Sequence, residues 1–457
     1  MKQDIPARSQ STDTKQKTNN RYKAEDEMTA TDIQTYRLPD HYLLTGGTWA
    51  DRDGIRPADI EVIGGKISRI AAPGEISTEG VTHFDMTGKL VTYGLADVHV
   101  HFRQPGFEAK ETIATGSRAA ARGGFTTVCA MPNLNPTPDT TEHIALELES
   151  IRRDAVIEVL PYASITLERK GRELVDMAAL KNLAVAFSDD GSGVQSEEMM
   201  LEAMRKAAEL DVLIAAHCED NNLLHGGYIH DGEYCRANGH KGICSESEWG
   251  PIERDLRLAE ATGCRYHVCH ISTKESVELI REAKRRGVKV TCETGPHYLV
   301  YCDEDIKDEG RFKMNPPIRS AADRAALIEG IADGTIDCIA TDHAPHTADE
   351  KSRGLRGSAM GVVGLETAFG VCHTHLVKTG IISMERLLEL MCFNPRRIFR
   401  MPVEGTANIA VFDLNEEWTV DQSEFASMGK STPFDGCTLT GRPDTLIFNG
   451  RLMKLFE

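Results

Sequence analysis

The sequence predicts an α/β fold, a (β/α)8 TIM-like barrel carrying a small split β-sandwich built from its two ends. Three observations point there. From Leu95 onward, eight strand-like segments alternate with helix-like ones. The strands read as near-continuous apolar text, as strands buried on both faces of a parallel sheet do. Short alternating runs broken by Gly and Asp-Gly turns lie before this region and return after it.

In chain order, residues 1–37 are rich in Thr, Gln, Lys, Asp and Asn, without apolar periodicity, and read as a disordered extension. Residues 38–92 contain HYLLTGGTWADRDG and PADIEVIGGKISRIAAPG, the first part of the sandwich. The barrel takes residues 93–402. Its strands are GLADVHVHF, FTTVCAMPN, AVIEVLPYASIT, LAVAFSDDG, DVLIAAHCED, CRYHVCHIST, VKVTCETGPHYLV and IDCIATDHAPH, with amphipathic stretches such as EEMMLEAMRKAAEL and KESVELIREAKRRG between them. Eight units in sequence suggest closure, and no Gly-rich phosphate loop follows the first strand, as an open doubly wound sheet would favour. The β rhythm resumes in residues 403–457 with NIAVFDLNEEWTV and DTLIFNGRLM, expected to pack with residues 38–92.

Composition narrows the function. The chain of 457 residues has 70 acids against 52 bases, a formal charge of −18. Such a polyanion has no electrostatic reason to bind nucleic acid or an anionic membrane. No apolar run approaches the roughly 20 residues of a membrane span, and the N-terminus lacks a secretory signal. The 12 cysteines include no C-x-x-C pair and read as buried thiols in a reducing compartment, so a cytoplasmic location is expected.

Polar residues gather at the C-terminal ends of the eight strands, where barrels of this kind place their chemistry. Strand one ends in Asp97-Val98-His99-Val100-His101, and alternation puts both histidines on one face. Strand four ends at Asp190, five at His217, six at His270 and eight at Asp342. Four His and two Asp exceed one tetrahedral zinc and suit a metal pair sharing a carboxylate. Asp342 is the candidate to move a proton between an activated water and a leaving nitrogen. Singly each residue has a plainer role: Asp190 as a helix cap, His217 or His270 as core residues.

Together, DVHVHFRQPG, AMPN, LPYASIT, FSDDG, AHCED, HVCHISTKES, FKMNPP, ATDHAPHT and GLET strongly resemble dihydroorotases of the bacterial class I type, in the amidohydrolase superfamily. The likeness runs from about residue 40 to the C-terminus. It implies one or two zinc ions, with His99, His101, Asp190 and Asp342 on the first and Asp190, His217 and His270 on the second. It also implies that Arg103 and Asn133, assisted by His346, hold the carboxylate of a small-molecule substrate, that Asn315 reads the pyrimidine ring edge, and that the backbone at Met360 and Gly361 contacts the ring, with His101 beside it. The expected activity is the interconversion of N-carbamoyl-L-aspartate and L-dihydroorotate in pyrimidine synthesis, through a metal-bound hydroxide with Asp342 as general acid and base. A homodimer and association with aspartate transcarbamoylase are the partner expectations that go with the resemblance.

The sequence departs from the family at Gln104, Tyr93, Gly357–Gly361, Thr294–Tyr298 and a shortened Met401–Asn408. Two rival readings stand beside it. Hydantoinases, dihydropyrimidinases and allantoinases are disfavoured because strand four ends without the lysine that bridges their metals. A scaffold without catalysis is disfavoured because every expected ligand is present.

Overall fold

The computed structural model describes residues 33–456. The extension read at residues 1–37 lies outside them as far as residue 32. Its last residues need correction: Gln34–Arg37 form a strand, antiparallel to Arg451–Lys454. Tyr36 packs there against the hydrophobic core, which is why a polar-looking stretch is held in the sheet.

Eight parallel segments form the barrel. Strand one is Leu95–Val100, two Phe125–Ala130, three Glu158–Pro161, five Leu213–Ala216, six Arg265–Val268, seven Val290–Thr294 and eight Cys338–Ile339. Strand four is reduced to Phe187, which bridges Ala163 on one side and Ile214 on the other. The ring closes where Val100 bridges His343 and the His101 N–H donates to the His343 carbonyl at 2.8 Å. Strand seven stops earlier than its apolar text suggested. Pro296 occupies the first turn of a short helix, Pro296–Val300, a place where its missing N–H costs nothing.

Five of the intervening helices begin where hydroxyl side chains cap them. Thr112, Thr140, Ser196, Thr273 and Ser320 each accept a backbone N–H in the first turn of the helix that follows. Inside the barrel, Ala96, Val98, Cys129, Met131, Tyr162, Ala215 and Ala340 fill the lumen, and Ile398, Phe399 and Met401 plug its lower end.

Apart from the short parallel pair Ile229–His230 and Gly242–Ile243, the remaining strands hydrogen-bond as one nine-stranded sheet drawn from both chain ends. Its order is Gln34–Arg37, Arg451–Lys454, Thr438–Phe448, Ile409–Thr419, Leu90–Tyr93, His41–Asp51, Gly54–Ile63 and Lys66–Ala71. It forks at His41–Asp51, one edge of which pairs in parallel first with Thr82–Asp85, through residues 42–45, and then with Leu90–Tyr93, through residues 48–50. Leu90–Tyr93 meets the returning chain through antiparallel pairing with Ile409–Phe412. The chain passes from sheet to barrel at Gly94, where a Cβ would lie 2.1 Å from Thr126 Cγ2, so only glycine fits.

Candidate active site

Strand one carries a register irregularity between Asp97 and Val100. Ala96 and Val98 face the lumen, whereas Val100 joins the outer core. The bulge switches parity, and His99 and His101 therefore reach the barrel mouth on the inner side. Strand four is tied down by Asp189, which accepts the Ile165 and Thr166 N–H groups at 2.8 and 3.1 Å. That leaves Asp190 free to turn inward. It caps no helix, since Ser196 does so for Glu197–Leu210.

Asp190 sits among four imidazoles. Its Oδ1 lies 3.4 Å from His99 Nε2, 3.5 Å from His217 Nδ1 and 3.4 Å from His270 Nε2. Its Oδ2 lies 3.6 Å from His101 Nε2. Asp342 Oδ1 completes the ring at 3.0 Å from His101 Nε2 and 3.6 Å from His99 Nε2. All six residues are buried. Two triads, His99–His101–Asp190 and Asp190–His217–His270, each bring their ligand atoms within 4.8 Å of one another, with Asp190 common to both. His99 Nε2 and Asp190 Oδ1 are buried with no hydrogen-bond partner, as atoms reserved for a cation are. Imidazole and carboxylate donors in this number fit a divalent metal.

The electrostatics agree. Burial opposes charge on Asp190, but His99 and the facing His217 and His270 imidazoles hold its carboxyl well below the usual range. Burial likewise opposes charge on His99, yet Asp190 and Glu293 hold its imidazole well above its ordinary value. The cluster demands positive charge. His270 and Asp342 adopt left-handed φ of 33° and 46°, and Arg103 one of 61°, conformations that cost a non-glycine residue energy and collect at functional sites.

Outer partners orient the inner ones. Glu293 on strand seven takes His99 Nδ1 at 2.6 Å and His267 Nε2 at 3.1 Å. Asn133 Oδ1 meets His101 Nδ1 at 2.9 Å, and Glu219 Oε2 lies 3.6 Å from His217 Nε2. Glu293 and Glu219 were not singled out from the sequence. A carboxylate inside the buried strand text VTCET was the available signal for the first, and Glu219 adjoins a ligand in AHCED. His297 is a third such residue: burial lowers its pKa to about 4, its Nε2 has no partner, and Asp342 and His270 act on it electrostatically. Removing Glu293 frees His99 to rotate and change tautomer, so Glu293→Ala should weaken metal binding roughly 10–100-fold, as read by chelator competition.

The residues expected to meet substrate are distributed as follows. Arg103 is buried beside the cluster, its Nε donating to the Pro345 carbonyl at 3.4 Å, and burial lowers its pKa to about 10. Asn133 spends its oxygen on His101, which leaves its Nδ2 for a ligand. His346 is committed within the protein: its Nε2 meets the Met360 carbonyl at 2.8 Å, its Nδ1 faces Lys110 and Glu350, and burial, with Arg103 near, lowers its pKa to about 4. A neutral ring so placed supports the loop rather than adding charge. Asn315 Nδ2 donates to Glu219 at 2.9 Å, while its Oδ1 is buried without a partner. At Gly361 the N–H donates to the Lys313 carbonyl and the carbonyl accepts from Lys351, so both of its main-chain polar groups are engaged.

Comparison with known proteins bears on this geometry. Residues 88–276 match the family model described as Dihydro-orotase-like. The chain is 51% identical over 420 residues to the dihydroorotase of Geobacillus kaustophilus, covering 90% of this chain and 98% of that one. It is 49% identical over 421 residues to the dihydroorotase of Bacillus subtilis, covering 90% and 97% respectively. Among solved structures, L-hydantoinase from Arthrobacter aurescens superposes with a TM-score of 0.80 at 28% identity, over 90% of this chain and 95% of that one. Dihydropyrimidinase from Brevibacillus agri, at 20% identity and a TM-score of 0.78 over 90% and 94%, shares the fold. With half its residues shared over almost the whole length of these relatives, the chain belongs to the dihydroorotase family.

Proposed function

We propose that the protein interconverts N-carbamoyl-L-aspartate and L-dihydroorotate, the ring-closing step of pyrimidine synthesis. The observation that carries this reading is Asp190 placed between two histidine pairs, with the Arg103 guanidinium buried beside them. When bound, one or two zinc ions held by His99, His101, Asp190, His217, His270 and Asp342 supply a polarised carbonyl and a water acidic enough to react near neutral pH. The protein's own groups do the rest. Arg103 and the Asn133 amide hold the substrate carboxylate, which a guanidinium grips through two parallel bonds. Asn315 meets the ring edge, and Met360 and Gly361 form one wall. In hydrolysis the carbon–nitrogen bond of the ring breaks, the water oxygen goes to the carbonyl carbon, and Asp342 passes the water's proton to the departing nitrogen. Closure runs the same steps in reverse.

Purified, zinc-loaded protein offered L-dihydroorotate, dihydrouracil, hydantoin and allantoin should open dihydroorotate alone and lose that activity to a chelator. Turnover of a neutral ring instead would overturn the roles of Arg103 and Asn133; no turnover at all would favour a scaffold. No helix among the described residues is long and apolar enough to cross a membrane. The same reading places the enzyme in the cytoplasm as a homodimer able to associate with aspartate transcarbamoylase, which sedimentation of the protein alone and mixed with that partner would test.

A further inference from the structure

Lys351 lies in the short helix Ala348–Lys351 that follows strand eight, and its side chain is buried. Its Nζ donates to three main-chain carbonyls: Lys313 at 3.0 Å, Ala359 at 2.8 Å and Gly361 at 2.6 Å. An ammonium has three N–H donors and here meets three acceptors. The acceptors come from two segments remote in sequence. One precedes Asn315 in the run Lys313–Pro317; the other flanks Met360. The Gly361 N–H donates to the same Lys313 carbonyl at 3.1 Å, which closes the tie between the two.

Among the described residues no carboxylate hydrogen-bonds the Lys351 ammonium. The neighbouring Glu350 faces Lys110 at 2.9 Å and His346 at 3.3 Å, and its carbonyl accepts the Ala359 N–H. The helix backbone is itself wedged in place: a Cβ at Gly310 would lie 2.1 Å from the Lys351 carbonyl oxygen. Burial, with the Lys313 ammonium nearby, lowers the Lys351 pKa to about 7, against a smaller opposing pull from the Glu350 carboxylate.

We propose that Lys351 is a positioning residue for substrate, fixing the spacing between the Asn315 segment and the Met360–Gly361 wall by gripping both through their carbonyls. It touches no metal ligand, so its effect falls on substrate fit and leaves the metal cluster intact. The inference rests on the substrate contacts proposed above.

The test compares wild type, Lys351→Met and Lys351→Arg, purified with metal and assayed on whichever cyclic amide the wild type opens. Wild-type turnover of dihydroorotate judges the functional reading; the variants judge Lys351. Losing a charged hydrogen-bond set should raise KM about tenfold or more. Turnover number and metal content should stay within about twofold, because the groups that do chemistry are elsewhere. Arg should not restore KM, since a planar guanidinium cannot point three donors at three converging carbonyls. In Lys351→Ala, n-propylammonium replaces the missing stem and charge and should lower KM again, while n-butanol of similar size should not. Soluble variants with wild-type KM, or with lost metal and lost turnover number at unchanged KM, overturn the proposal. If the Ala variant does not fold, the Met and Arg variants decide alone.

Discussion

Asp190→Ala is expected to lose bound metal and turnover together, with activity reduced at least about a thousandfold. The size follows from what the carboxylate does. One oxygen faces three imidazoles within 3.5 Å and the other faces the fourth, so a single side chain serves both triads. Without it, four buried imidazoles share a cavity with Asp342 as the remaining inward carboxylate, and a divalent cation there meets too little negative charge. Metal assistance is worth several kcal/mol of transition-state stabilisation, and about 4 kcal/mol is a factor of a thousand. Elemental analysis and dihydroorotate turnover on the same preparation check it. Full metal content in the alanine variant would show that Asp190 does not bridge.

Arg103→Met should produce the next largest effect and a different pattern. Metal content should be unchanged, because the guanidinium reaches the cluster only through space, while kcat/KM for dihydroorotate should fall about a hundredfold, the cost of about 2–3 kcal/mol for a lost charged hydrogen-bond pair. The substrate's carboxylate would be left facing the low-dielectric mouth without a counter-charge. Dihydrouracil, which has no carboxylate, should remain unopened by wild type and variant alike. Equal dihydroorotate kinetics in wild type and variant would remove Arg103 from the substrate site.

Much of this site could be read before any coordinates. Strand-ending His99, His101, His217 and His270 and the two aspartates were legible because a parallel barrel gathers the ends of distant strands at one rim. The facing of the first pair was harder. Simple alternation would have placed His99 and His101 opposite Val98, and only the irregularity between Asp97 and Val100 brings them inward. Strand four, apolar in text, pairs with its two neighbours through Phe187 alone because its backbone turns early to present Asp189 and Asp190. Left-handed φ at Arg103, His270 and Asp342 is imposed by tertiary packing and has no local sequence mark. The role of Lys351 was equally hidden, since its partners are main-chain carbonyls, which every residue possesses.

The sheet shared between the chain ends has a consequence for synthesis on the ribosome. Leu90–Tyr93 is wholly buried and largely apolar in the finished protein, yet its antiparallel partner Ile409–Phe412 comes roughly 320 residues later. At about 5–20 residues per second, that partner emerges some 16–64 s afterwards. For that interval the nascent chain carries a sticky strand with an open edge, while all eight barrel units are being translated beside it. The barrel can collapse as it emerges; the sheet cannot be completed until translation is nearly over, and the early strands depend on chaperones or on their own hairpin, His41–Asp51 with Gly54–Ile63, to stay out of aggregates.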